Sequence, residues 1–118
     1  MKVVACGGRR YDNEAFVWGC LDMIRRKHPG MVLFHGAAKG ADSLAARWAI
    51  HRGVSVFPFP ADWELHGRQA GPIRNGEMLD MGAKAVVAFP GGHGTADMVR
   101  QAKFRAIPVW DLREAQGA

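Results

Sequence analysis

Lys84-Ala-Val-Val-Ala-Phe89-Pro-Gly-Gly-His-Gly-Thr95-Ala-Asp-Met-Val-Arg-Gln-Ala-Lys-Phe104 is the stretch that decides the fold. The apolar run at 84–89 predicts a buried strand. Pro90 ends it, Gly91, Gly92 and Gly94 turn the chain, and residues 96–104 predict a helix that Thr95 is expected to cap. A helix start offers free N–H groups and the positive end of a dipole, which favour an anion, most often a phosphate. Glycine keeps a Cβ from standing between ligand and backbone. Three glycines in four positions exceed what a turn alone needs, so the stretch predicts an anion site.

The same unit repeats outward from this stretch. Strands are predicted at 3–6, 31–34, 54–57 and 107–110, beside the one at 84–89. A helix capped by Asp12 or Asn13 has Val17, Cys20, Leu21 and Ile24 on its inner face, spaced i, i+3, i+4, i+7. A second helix, from about residue 42, is expected to bury Leu44, Ala45, Trp48 and Ala49 and to close at Gly53. Pro58 and Pro60 end the third strand. Residues 61–71 read as a polar loop, and a short helix from Pro72 is expected to run to Gly82. Residues 111–118 read as a frayed tail. Strands alternating with helices imply an α/β fold: a parallel sheet of about five strands with helices on both faces.

The chain has 118 residues, which fits a single domain, and 48% apolar residues, enough for one core. No apolar run is long enough for a membrane span. The start of the chain enters a strand directly, so no signal peptide is expected. Cys6 and Cys20 lack metal-like spacing and read as reduced thiols of a cytoplasmic protein. The net charge of +5 suits an anionic ligand of any size. Its one basic cluster, 25–28, ends a helix, where cations suit the dipole, so nucleic acid is possible but not favoured. The five histidines show no ligand spacing, and neither a metal nor a cofactor is expected.

The loops divide sharply. Those leading from helix to strand are brief and plain. Those leading from strand to helix hold Gly7-Gly8-Arg9-Arg10-Tyr11, Gly36-Ala-Ala-Lys39-Gly40-Ala-Asp42, Ala61-Asp62-Trp63 and Pro90-Gly91-Gly92-His93-Gly94-Thr95. All of these fall at the C-terminal edge of the sheet, where open α/β folds bind ligands. At least one of Arg9 and Arg10 is expected to serve the site, since arginine matches phosphate with a two-pronged fork; the plain alternative is that one points to water and the other pairs with Asp12. Asp42 either caps its own helix or meets a ribose hydroxyl. Trp63 either stacks on a base or fills the core. Arg74 falls in the first turn of its predicted helix, where a cation opposes the dipole unless an anion is bound. Replacing it with alanine is then expected to abolish binding and spare the fold. Asn75 either contacts a sugar or base edge or caps locally. His93 is expected to be a solvated loop residue.

Taken together, Gly7-Gly-Arg-Arg-Tyr11, Gly36-Ala-Ala-Lys-Gly-Ala-Asp42, Ala61-Asp-Trp63, Ala70-Gly-Pro-Ile-Arg-Asn-Gly-Glu-Met78 and Phe89-Pro-Gly-Gly-His-Gly-Thr95 resemble the YspA-type, cpYpsA-related branch of the SLOG superfamily over about residues 3–110. The resemblance implies a single Rossmann-like domain and a nucleotide or nucleotide-derived ligand. Relatives include the cytokinin-activating phosphoribohydrolases and a DNA-processing protein that binds single strands. The phosphoribohydrolases resemble Pro-Gly-Gly-x-Gly-Thr-x-x-Glu, and that glutamate is replaced here by Met98. Their arginine in Arg-x-x-x-Met matches Arg74–Met78. Arg74 is thus a catalytic candidate, with Glu77 or Asp97 as substitute carboxylates, if there is catalysis of the phosphoribohydrolase type at all. The leading expectation is a nucleotide-binding or sensor module. A nucleotide hydrolase and a single-strand binder are the alternatives, and a homodimer through helix faces bearing Trp18, Met23 and Met81 is expected by analogy.

Overall fold

Val3 and Ala5 face one side of a sheet and Val4 and Cys6 the other, and the two sets enter two separate cores. Such strict alternation of buried residues marks a strand covered on both faces. The computed structural model describes residues 1–115. Its elements are β1 (Lys2–Cys6), α1 (Glu14–Lys27), β2 (Val32–His35), α2 (Ala41–Arg52), β3 (Val56–Pro58), α3 (Trp63–His66), a 3-10 turn (Gly67–Gln69), α4 (Ala70–Asp80), β4 (Ala83–Ala88), α5 (His93–Phe104) and β5 (Val109–Asp111). The five strands form one parallel sheet in the order β3-β2-β1-β4-β5.

On one face α1 and α2 pack Val17, Leu21, Leu44 and Trp48 against Val3, Leu33 and Val87. Trp48 is fully buried, and its indole N–H donates to Asp22 at 2.7 Å. Arg52 grips the same carboxylate at 3.0 and 3.1 Å and holds its pKa below the usual carboxylate range. Truncating such an aromatic to alanine costs about 3–5 kcal/mol. On the opposite face α4 and α5 pack Met78, Leu79, Met98 and Val99 against Val4, Phe34 and Val86. Asn13 caps α1 by accepting from Phe16 N at 3.1 Å, and Gly53 ends α2 in a left-handed conformation.

The elements follow the sequence expectation, with shifted ends. Cys20 is only partly buried, because Val17, Leu21 and Ile24 alone fill the seam. Residues 61–69 are not a plain loop: Asp62 accepts from Leu65 N at 3.0 Å and caps the single turn of α3. Helix α4 begins at Ala70, two residues before Pro72. The proline is tolerated because N–H groups of a first turn have no helical acceptor to lose. Pro58 closes β3 on the sheet edge, where a missing donor costs little. The expected frayed tail starts too early. Asp111 belongs to β5, and Leu112 N donates to Ala88 O at 2.8 Å; residues 116–118 lie outside the described residues.

Candidate functional site

The adjacent strands β1 and β4 send their chains to opposite faces, β1 into α1 and β4 into α5. The loops that leave them part, and a crevice opens at the C-terminal edge of the sheet. Gly8 knots the floor of that crevice. Its N–H donates to Pro90 O at 2.8 Å, and its carbonyl accepts from Tyr11 N at 3.2 Å and Ala41 N at 3.1 Å. Three strand-end loops are thereby fastened at one residue. A Cβ on Gly40, which sits at φ +74°, would overlap the Gly8 carbonyl, and a Cβ on Gly91 would overlap Thr95 Oγ1. Gly92 and Gly94 differ, for a Cβ on either would meet nothing within 4 Å. The glycines of these loops therefore divide into packing glycines (7, 8, 36, 40, 91) and the two that face open space, Gly92 and Gly94.

The main cleft, about 490 Å³, is lined by Gly7, Gly8, Arg9, Gly36, Asp42, Trp63, Arg74, Asn75, Gly92, Gly94, Thr95 and Asp97 among the residues singled out from sequence. Lys39 lines an adjoining hollow. Gly40, Asp62, Pro90 and Gly91 stand outside the main cleft: Gly40 and Pro90 serve the Gly8 knot, Asp62 caps α3, and Gly91 packs on Thr95. Glu77 is exposed and also stands outside. Cys6, Arg68, Gly71, Pro72, Met78 and His93 join the lining without having been assigned to it from sequence. Arg68 sits on the 3-10 turn, where periodicity gives no signal.

Thr95 does not cap α5. The helix starts at His93 after Gly92, so Thr95 is its third residue and is buried. The first-turn N–H groups of α5 have no helical acceptors, and Ala96 N is the first to bond back, to Gly92 O at 3.0 Å. Gly92, His93, Gly94 and Thr95, at that helix start, line the cleft.

Arg74 is in the second turn of α4, not the first, so the conflict with the helix dipole expected from sequence is absent. Its guanidinium donates to Gly36 O, to Phe59 O at 3.4 Å and to Asn75 Oδ1 at 3.0 Å. It ties the ends of β2 and β3 to α4, and burial lowers its pKa. Asn75 passes the connection on, donating to Gly94 O at 3.2 Å and Asp97 Oδ2 at 3.0 Å. Asp97 also accepts from Arg100 at 2.7 Å and Gln101 at 2.8 Å. Asn75 is thus the strut between α4 and α5.

Asp42 caps nothing, because α2 begins after Gly40. Its Oδ2 accepts from Gly36 N at 2.8 Å and Ala38 N at 3.4 Å and shapes the 36–38 loop from beneath. Burial pushes its pKa up to about 6 against the opposing pull of those N–H groups, Arg74 and Arg9. His35, also buried, accepts from Ala37 N at 3.0 Å through Nδ1, and burial with the Arg74 charge lowers its pKa. Burial drives the pKa of the Cys6 thiol far above its ordinary range, which disfavours the thiolate. Trp63 is 50% exposed and does not fill the core. It leans over Gly71, and the Arg9 guanidinium stands 5.6 Å from its ring centre. Arg9 is therefore held by an aromatic face rather than by Asp12. Among the described residues no group of three His, Cys, Asp or Glu side chains is placed to hold a metal ion, and no helix is long and apolar enough to cross a membrane.

Known proteins are similar to this chain in sequence or in fold. The X-ray structure of TM1055, a structural-genomics target, superposes with a TM-score of 0.75 at 22% identity, over 92% of this chain and 71% of that one; this shows a common fold. The Gene 61 protein of Mycobacterium phage D29 is 41% identical over 116 aligned positions, covering 92% of this chain and 93% of that protein. The profile of the YspA, cpYpsA-related SLOG family matches residues 1–66, which contain β1 to α3 and three of the loops at the cleft. The fold, the glycine-bound crevice and these likenesses agree, and the chain belongs to the YspA, cpYpsA-related SLOG family.

Proposed function

We propose that the protein binds a nucleotide or nucleotide-derived phosphate ligand in the main cleft and serves as a binding or sensor module. One observation carries the reading. The first turn of α5, flanked by the open glycines Gly92 and Gly94, faces a cleft that also holds Arg9, Arg68, Arg74 and the half-exposed ring of Trp63. Helix N–H groups and arginines suit a phosphate, and an indole face suits a base. Family membership supports the same ligand class. Two free cysteines, one of them buried, support a reducing cytoplasmic setting.

A binding role is favoured over hydrolysis by the carboxylates. Met98, at the position of the phosphoribohydrolase glutamate, is fully buried in the core. Asp97 already accepts from three side chains, and Glu77 stands outside the cleft. One observation favours the hydrolase reading instead: Asp42 lines the cleft with a pKa raised to about 6, in the range of a general acid. Thermal shift and calorimetry against nucleoside monophosphates test the binding role. A ligand at ~100 times its Kd adds about 2.7 kcal/mol to stability. Silence across the panel at millimolar ligand overturns it. Release of free base from the same panel, abolished by Asp42→Asn, would replace it with the hydrolase reading.

A homodimer is part of this proposal, in altered form. Trp18 is not a free contact, since its indole donates to Leu44 O at 3.1 Å. Met23 lies on α1 and Met81 just beyond the end of α4, on opposite faces of the sheet, so they cannot share one interface patch. The α1 side, where Met23 and Trp110 border an apolar groove with Ile24 and Leu112, is the proposed contact.

A further inference from the structure

The charges around the site are distributed unevenly. Arg47, Arg52, Arg100, Arg105 and Arg113 each hold an ion pair, and none of them lines the cleft or its adjoining hollow. Arg9, Arg10, Lys39, Arg68 and Arg74 line one or both and, like Lys2, Arg25, Arg26, Lys27, Lys84 and Lys103 elsewhere, have no ion-pair partner among the described residues; what sets them apart is that they gather in one place. The adjoining hollow is as large as the main cleft, about 490 Å³, and is lined by Arg9, Arg10, Lys39 and Arg74 with no carboxylate. Four cations in one hollow compare with a net charge of +5 for the whole chain. Like charges this close repel: burial chiefly lowers the pKa of Arg74, Asp42 opposes that, and the Arg9 charge adds to the lowering. The two spaces share Arg9, Gly36, Ala38, Trp63 and Arg74 as a common wall, so one ligand can occupy both.

We propose that the hollow is a second anion subsite, in which Arg10 and Lys39 hold a further phosphate of the ligand, so that the protein reads a nucleotide bearing two separated phosphates rather than a simple monophosphate. This rests on the main-cleft reading above, because the first phosphate is placed at α5. Trp63 and Arg9 stand where the two spaces meet and suit the nucleoside between the two phosphates. A free monophosphate leaves Arg10 and Lys39 unused. A charge-assisted contact to a second phosphate engages them, and their long, exposed side chains order only on its arrival.

The test is calorimetry on the full chain with the four nucleoside 5′-monophosphates, the matching 3′,5′-bisphosphates and a short thymidylate strand. The comparison protein is the Arg10→Ala, Lys39→Ala double variant. Both side chains are exposed, so its melting temperature should match the native one. The expected result is a bisphosphate at least about tenfold tighter than its monophosphate. In the variant that advantage is lost while monophosphate affinity stays within about twofold. Monophosphates that bind, with bisphosphates no tighter or equally tight to the variant, overturn the second subsite and leave the main-cleft reading standing. Failure of every mononucleotide to bind overturns the main-cleft reading and this inference with it. A thymidylate strand that outbinds thymidine bisphosphate and loses that advantage in the variant overturns the small-ligand form, for the hollow then continues a nucleic-acid groove.

Discussion

Single residues separate the frame of the cleft from its ligand face. Gly91→Ala would force a Cβ onto Thr95 Oγ1 and within 2.7 Å of Gly8 N, breaking into the knot that fastens the loops. It should destabilise the fold by about 1–3 kcal/mol, in line with overpacking. Gly94→Ala meets open space inside the first turn of α5, so it should leave stability unchanged or raise it by about 0.5–1 kcal/mol while weakening nucleotide binding. Denaturant melts and calorimetry on both variants decide this, and a Gly94→Ala protein that binds as well as the native one places the phosphate elsewhere. Asp42 has its own signature. A carboxyl with a folded pKa of about 6, above its ordinary 3.8, binds its proton more tightly in the fold than in the unfolded chain. Its contribution is fully present below about pH 4 and is lost as pH rises through 6. The difference, about two pH units, corresponds to about 3 kcal/mol. Asp42→Asn should therefore gain about that much on the native protein between pH 4 and pH 7, and parallel stability curves for the two would refute it.

At the scale of elements, Arg74 joins β2 and β3 to α4 through two backbone carbonyls. Its removal leaves those acceptors without their charged donor. Arg74→Ala should therefore lower stability by about 1–3 kcal/mol as well as weaken binding. This reverses the sequence expectation of an unharmed fold, and an unchanged urea midpoint would restore it. The difference has a physical reason: bonds from Arg74 to positions 38 and 15 residues away leave no local trace in a sequence. The strand and helix order, by contrast, was legible because glycines and prolines punctuate each apolar run. Most of the cleft's glycines and cations, though not Gly71 or Arg68, were legible as well, since parallel topology gathers all strand-to-helix loops on one edge. Helix α3 was hidden, being four residues long with none buried and hence without periodicity. Its Trp63 contributes little to the core. Trp63→Ala should change stability by less than about 0.5 kcal/mol and cost about 1–3 kcal/mol of nucleotide binding. Equal affinity in that variant would remove the stacking role.

The whole molecule is small, with a Cα radius of gyration of 12.9 Å, and four of its cations line one hollow. Self-association through the α1 side should give twice the 12.9 kDa chain mass in light scattering at tens of micromolar, and Met23→Lys should return it to the monomer. A native protein already monomeric under those conditions ends the dimer proposal. The exposed stretch 61–69 has a consequence for how such molecules diversify. It contributes Trp63 and Arg68 to the cleft, yet none of its residues is buried, and the Gly8 knot lies wholly outside it. A segment so placed is exchangeable. A different stretch grafted between Pro60 and Ala70 would alter the cleft wall while the sheet, both cores and the glycine turn at 91–94 stayed as they are. New recognition in this architecture can arise by cassette, without renegotiating the frame.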